Sequence, residues 1–172
     1  AAVASPSYAY NGGGARSTSP SSYENYSTVI DRIDFANDTA TATPKGPLSS
    51  GRYGAGGTSN ASYGWIAGVR QPSKSIVDRI DFSNDTATSS PKGPMASANG
   101  YKAGTGNANF GYFYGGYPAF TNVERIDYSN DTALTVAKGP LATTFQRGAS
   151  TSSHSHGYWV GGGTNSNVQK ID

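Results

Sequence analysis

The chain has 172 residues, with 23 glycines, no cysteine, and 13 basic against 11 acidic groups, a formal charge of +2. Charged residues make up 14% and aromatic ones 12%, which excludes the lean, highly charged composition of a disordered chain and the basic stripe that nucleic-acid binding requires. Without cysteine there is no disulfide framework, thiolate nucleophile or thiolate metal site. No apolar run approaches the roughly 20 residues of a membrane-spanning helix, so no membrane insertion is expected.

Along the chain, Tyr8-Ala9-Tyr10-Asn11-Gly12-Gly13-Gly14 reads as an aromatic strand stopped by glycine. A long loop from Ala15 to Ser27 carries Arg16, Tyr23, Glu24 and Tyr26. The segment from Ile30 to Phe35 alternates as a strand does, and Asn37-Asp38-Thr39 then forms a turn, because Asn and Asp bond their own backbone and tolerate left-handed conformations. Lys45-Gly46-Pro47 closes the unit. The same order returns with Tyr63-Gly64-Trp65, Val77-Asp78-Arg79-Ile80-Asp81-Phe82, Asn84-Asp85-Thr86 and Lys92-Gly93-Pro94. It returns again with Tyr112-Phe113-Tyr114-Gly115-Gly116, Val123 to Tyr128, Asn130-Asp131-Thr132 and Lys138-Gly139-Pro140. A fourth, worn copy has Tyr158-Trp159-Val160-Gly161-Gly162 and ends in Val168-Gln169-Lys170-Ile171-Asp172. Arg32, Arg79, Arg125 and Lys170 are spaced by 47, 46 and 45 positions.

In the third unit the predicted strands are 98–107, 110–116, 122–130 and 132–138, and no window holds an apolar helical period free of Gly or Pro. The fold class is therefore all-β, with four antiparallel strands in each repeat of about 46 residues, the pattern of β-propeller blades. The expected divisions are 1–50 (a partial first blade), 51–97, 98–142 and 143–172 (a partial fourth). Counted this way the units hold 3, 4, 4 and 3 strands, starting in strand two of the first. Open half-blades of this kind are expected to be completed by a longer chain or by other copies.

The diglycines Gly12-Gly13, Gly115-Gly116 and Gly161-Gly162, each followed by an alternating strand and a Pro-containing exit, resemble the kelch family of propellers. The second unit has Ala67-Gly68 instead; Phe35, Phe82 and Tyr128 stand near the kelch Tyr, and the later kelch Trp is absent. The phrases Asn-Asp-Thr-Ala and Lys-Gly-Pro-Leu also resemble repeat proteins of tailed-phage and marine-virus particles. Some kelch propellers are copper oxidases, but their cysteine-linked tyrosine cannot form here.

His154 and His156 lie two apart, so on a strand both imidazoles would share a face and could reach one metal ion. No carboxylate or thiolate adjoins them, and the plainer reading is a polar turn like Asn107-Ala108-Asn109. Arg32, Arg79 and Arg125 each precede Asp34, Asp81 and Asp127 by two, so a structural ion-pair ladder within or between blades is expected. Recurrence in every repeat argues against acid–base chemistry at Asp31/Asp34 or Asp78/Asp81, since an active site needs one asymmetric constellation. Five Asn-x-Ser/Thr sequons, at Asn25, Asn37, Asn60, Asn84 and Asn130, are acceptors if the chain is secreted, although turn chemistry explains the three repeated ones and could also offer oxygens to calcium.

Loops between strands two and three differ most between repeats, and on a rigid scaffold such loops carry binding. Tyr23, Tyr26, Arg70, Tyr117 and Phe120 are the candidate binding residues there. Composition, repeats and resemblance together lead to the expectation of a non-enzymatic structural or adhesive protein without cofactor, virion-borne or extracellular, such as a phage fibre, tail or capsid-surface component. Its expected partners are neighbouring subunits of a larger complex or surface glycans. The alternatives are a secreted carbohydrate-binding propeller of a cell and a kelch-type adaptor for protein partners.

Overall fold

Small residues open each repeat, and they let four short strands come close together around one axis. The computed structural model describes residues 1–19, 22–70, 72–153, 155–162 and 166–171, and of 16–19 and 22–24 the backbone. Blade 1 holds β1 (Ala2–Ala4) and β2 (Tyr8–Gly12), then a projecting hairpin, β3 (Ala15–Ser19) and β4 (Ser22–Tyr26), then β5 (Ile30–Asp34) and β6 (Thr43–Lys45). Blade 2 holds β7 (Gly56–Ser59), β8 (Tyr63–Val69), β9 (Lys74–Asp81) and β10 (Ser90–Pro91). Blade 3 is β11 (Ala103–Gly106), β12 (Phe110–Tyr114), β13 (Val123–Asp127) and β14 (Val136–Lys138). Blade 4 is β15 (Ala149–Ser152), β16 (Gly157–Val160) and β17 (Val168–Ile171). Each is an antiparallel sheet in chain order, and the four are arranged as a four-bladed β-propeller.

The inner strands β1, β7, β11 and β15 line a central opening through residues such as Ala4, Thr58, Thr105 and Thr151. Glycine is required here by close approach: a Cβ on Gly104 would lie 2.5 Å from the Gly57 carbonyl oxygen. Side chains fasten the inner strands together, Thr58 Oγ1 donating to the Thr105 carbonyl (2.9 Å) and Thr105 Oγ1 to the Thr151 carbonyl (3.0 Å).

Strand alternation gives every blade two faces. Tyr10 pairs with Arg32, Trp65 with Arg79, Tyr112 with Arg125 and Tyr158 with Lys170, all facing forward to the next blade. Their neighbours, such as Ile66, Phe113 and Trp159, face back. Forward and rear faces close on each other in three apolar seams. Tyr10, Ile30 and Leu48 meet Ile66 and Ile80; Trp65, Ala67 and Val77 meet Phe113 and Ile126; Tyr114, Val123 and Leu141 meet Trp159. Because each face is too small to form a core alone, burial between neighbouring blades is what stabilises the array.

A polar clamp repeats in the first two seams. The Asp85 carboxylate accepts from Tyr10 Oη at 3.0 Å and Arg32 Nη1 at 2.8 Å, with Lys45 Nζ 3.4 Å away. One repeat on, Asp131 accepts from Trp65 Nε1 at 2.9 Å and Arg79 Nη1 at 3.1 Å, with Lys92 Nζ at 3.7 Å. Gly46 and Gly93 donate their amides to the Asp85 and Asp131 carbonyls, at 2.8 and 2.9 Å. A Cβ on either glycine would strike the Ala87 or Ala133 carbonyl, whereas one on Gly139 would meet nothing.

A second clamp ties the rear faces of blades 2, 3 and 4 to the connector before each. Asp78, fully buried, accepts from Arg52 Nη2 at 2.7 Å and from the Ser49 amide and hydroxyl at 2.8 and 2.7 Å. Glu124 occupies the same place in blade 3, bonded by the Ser97 and Thr135 hydroxyls and the Ala96 amide, with Lys102 Nζ at 3.4 Å. Burial alone would raise the Glu124 carboxyl, but Lys102 and these donors hold it below its ordinary value. Gln169 in blade 4 keeps the geometry without charge, accepting from the Ala142 amide at 2.8 Å.

Several expectations need correction. Blade 1 is complete, because Ala2–Ala4 pairs with β2 and supplies its strand one. Residues 15–27 contain a hairpin, not only a loop. The expected strand over 122–130 ends at Asp127, and Tyr128–Asn130 form a 3-10 turn, as Phe82–Asn84 do in blade 2. Strand one of blade 3 is shorter than expected, Ala103–Gly106, and strand four is only Val136–Lys138.

The ion-pair ladder runs differently from the expected partners. Arg32 and Arg79 reach across the seam to Asp85 and Asp131, while Arg125 lies over the Phe110 ring at 4.2 Å. Asp81 and Asp127 cap the 3-10 turns, each accepting from the amide and hydroxyl of Ser83 or Ser129. Those hydrogen bonds lower both carboxyls. Asp34 accepts from the Ala36 amide in the same way, at 2.9 Å. The long arginine side chain spans the gap between sheets, and the short aspartate bonds the backbone beside it.

Candidate functional site

Antiparallel order puts the loops between strands two and three at the same end of the propeller as the connectors leading into each inner strand. Backbone bonds join the two sets. The Arg70 amide donates to the Tyr53 carbonyl (3.2 Å) and Tyr117 to Gly100 (2.9 Å), while Arg147 to Tyr101 (3.3 Å) ties one connector to the next. Tyr101 and Arg147 hold equivalent places two residues before β11 and β15, and both adopt φ of 58°. That left-handed conformation is uncommon for residues with a Cβ and sets the direction of both side chains.

The result is a continuous aromatic row. Tyr26, at the end of β4, stacks on Tyr53 (ring centroids 5.2 Å, 20° between planes). Tyr53 meets Tyr101 edge-on at 5.9 Å, and Tyr101 meets Tyr117 at 6.2 Å. Two guanidinium groups complete it: Arg70 lies 4.0 Å from the Tyr117 centroid and 5.8 Å from that of Tyr101, and Arg147 lies 4.4 Å from Tyr101. Cations over ring faces are attracted by the aromatic quadrupole. Burial and the adjoining Tyr101 push the Tyr53 phenol up, so its hydroxyl stays protonated at neutral pH. Neither Arg70 nor Arg147 ion-pairs with a carboxylate among the described residues. Tyr117 is 40% exposed at the open end of the row.

Of the candidates read from the sequence, Tyr26, Arg70 and Tyr117 come together here. Phe120 stands aside, half-buried, its backbone bridged to Phe145. The Tyr23 side chain lies outside the described residues. Tyr53, Tyr101 and Arg147 had no motif to mark them; the available signal was an aromatic or basic residue two or three places before an inner strand in three successive repeats.

At the other end, His154 lies outside the described residues, and the His156 ring nitrogen Nδ1 is 2.9 Å from Ser155 Oγ. No group of three or more His, Cys, Asp or Glu is placed to hold a metal ion among the described residues. Of the sequons, Asn25, Asn37, Asn84 and Asn130 are exposed, while Asn60 spends its side-chain oxygen on the Ser62 and Tyr63 amides at 2.9 Å each. Among the described residues, no helix is long and apolar enough to cross a membrane.

Fold and repeats define the class: a four-bladed β-propeller in which Asp85 and Asp131, from two of the three Asn-Asp-Thr turns, clamp their blades to the blade before. The chain matches no known protein-family model and no curated protein sequence.

Proposed function

We propose that this propeller is a non-enzymatic adhesive module that offers its loop face to a surface glycan, as a structural component of a virion or extracellular appendage. One observation carries the reading: the row Tyr26–Tyr53–Tyr101–Tyr117 with Arg70 and Arg147 laid over its rings. Tyrosine supplies flat, amphipathic contact area at low entropic cost, suited to the C–H faces and hydroxyls of a sugar. The two guanidinium groups favour glycans bearing carboxylate or sulfate, which planar arginine recognises in bidentate fashion. The kelch-like spacing and the likeness of the Asn-Asp-Thr-Ala and Lys-Gly-Pro-Leu phrases to phage and marine-virus repeats support the setting.

A glycan array carrying acidic and neutral polysaccharides tests it, followed by titration of the best hit. Tyr117→Ala and Arg70→Ala are each expected to weaken binding about tenfold or more, equivalent to about 1.4 kcal/mol. Neutral glycans are expected to bind less well than acidic ones. An empty array, or both variants binding as the parent does, would overturn the proposal.

A further inference from the structure

Two blade faces stay open, and they are the two halves of a fourth seam. On the rear face of blade 1, Ile33 is 41% exposed, while its counterparts Ile80 and Ile126 are 4% and 2% exposed, and Phe35 is 53% exposed, while its counterparts Phe82 and Tyr128 are half-buried. Asp38 is exposed too, although the matching Asp85 and Asp131 each hold a ring donor and an arginine of the preceding blade. On the forward face of blade 4, Val160 and Val168 are 44% and 62% exposed. The equivalents of Val168, namely Ile30, Val77 and Val123, are all at most 1% exposed. Tyr158 and Lys170 stand there in register, where Tyr10 and Arg32, or Trp65 and Arg79, make the clamp.

We propose that the rear face of blade 1 docks the forward face of blade 4 of a second copy of this chain, head to tail, with Asp38 accepting from Tyr158 and Lys170. Three observations favour this occupant. The internal seams show the same residue types closing against each other three times. The charges are complementary, an aspartate opposite a phenol and an ammonium. Finally, the chain's own blade 4 leaves Ile33 and Phe35 uncovered in the structure where all four blades are in place. The rear face of blade 1 has Asn11 where the internal seams have Ile66, Phe113 or Trp159. A polar residue at that place makes the joint weaker than the internal seams, hence reversible. Because the two surfaces differ, the contact is heterologous and builds rings or filaments according to the rotation per copy. It uses the flanks of the propeller and is independent of what the loop face binds.

Sedimentation velocity of the 172-residue chain between about 1 and about 100 μM, a range that brackets micromolar affinity, is the test. The parent is expected to assemble as concentration rises. Phe35→Asp and Val168→Asp, both at exposed positions and checked for unchanged circular dichroism, are expected to remain monomeric when alone. Mixed one to one, they should form a heterodimer and stop there, since the first retains an intact forward face and the second an intact rear face. A parent that stays monomeric throughout, a variant that assembles as the parent does, or a mixture that fails to pair would each overturn the proposal.

Discussion

Trp65→Ala is expected to lower stability by about 3–5 kcal/mol, the range for removing a large buried aromatic, read as a shift of the urea midpoint. Trp65 is fully buried, its ring stacked on Tyr128 at 4.0 Å and 5°. It therefore joins blade 2 to blade 3 by both surface and hydrogen bond. Truncation removes the stack and opens a cavity in the middle seam, and it also takes the indole donor from Asp131. A domain whose whole stability is about 5–15 kcal/mol retains little after such a loss. Trp65→Phe keeps most of the buried surface and loses the N–H donor and part of the ring, so it should fall well short of the alanine variant. A small effect of Trp65→Ala would mean that the seams do not carry the stability of the array.

Asp78→Ala should be comparably damaging for a different reason. Arg52 is fully buried and donates to Asp78 at 2.7 Å, with further bonds to the Ile66 and Ser50 carbonyls. Removing the carboxylate strands a guanidinium inside the first seam, a loss of about 3–5 kcal/mol for a broken buried pair. The desolvation of an unpaired charge dominates that figure, so the double variant Asp78→Ala with Arg52→Met should recover a substantial part of it. Denaturation of both variants checks this, and a double variant less stable than Asp78→Ala would argue against it.

Much of the architecture was legible because the repeats state it four times. Alternation marked strands two and three, and Gly-Gly and Gly-Pro marked where strands stop. What escaped lacks local pattern. Ala2–Ala4 are small residues whose role as an inner strand comes from packing at the axis. The Asn-Asp-Thr motif was legible as a turn, but its aspartate proved to be the acceptor for the preceding blade, a relation between residues some 50–75 apart in the chain. The arginine ladder was sound as a same-face argument and differed in its partners, because side-chain reach carries arginine over the seam. At the loop face, three of the residues that meet were readable from loop variability. Tyr53, Tyr101 and Arg147 arrive from the connectors, which only the three-dimensional stacking of blades brings beside them.

The central claim is that each Asn-Asp-Thr aspartate gains its weight from the blade before it. Asp131→Ala and Asp38→Ala make the same change in the same motif, one inside a seam and one on an open face. Urea denaturation of both at about 1 μM, a concentration low enough to keep a micromolar joint largely apart, compares them directly. Asp131→Ala is predicted to cost about 3 kcal/mol or more, as loss of a buried ion-pair partner does, and Asp38→Ala to stay within about 0.5 kcal/mol of the parent. Equal losses at the two positions would show that the aspartate serves only its own turn and would contradict the account of how the blades are held.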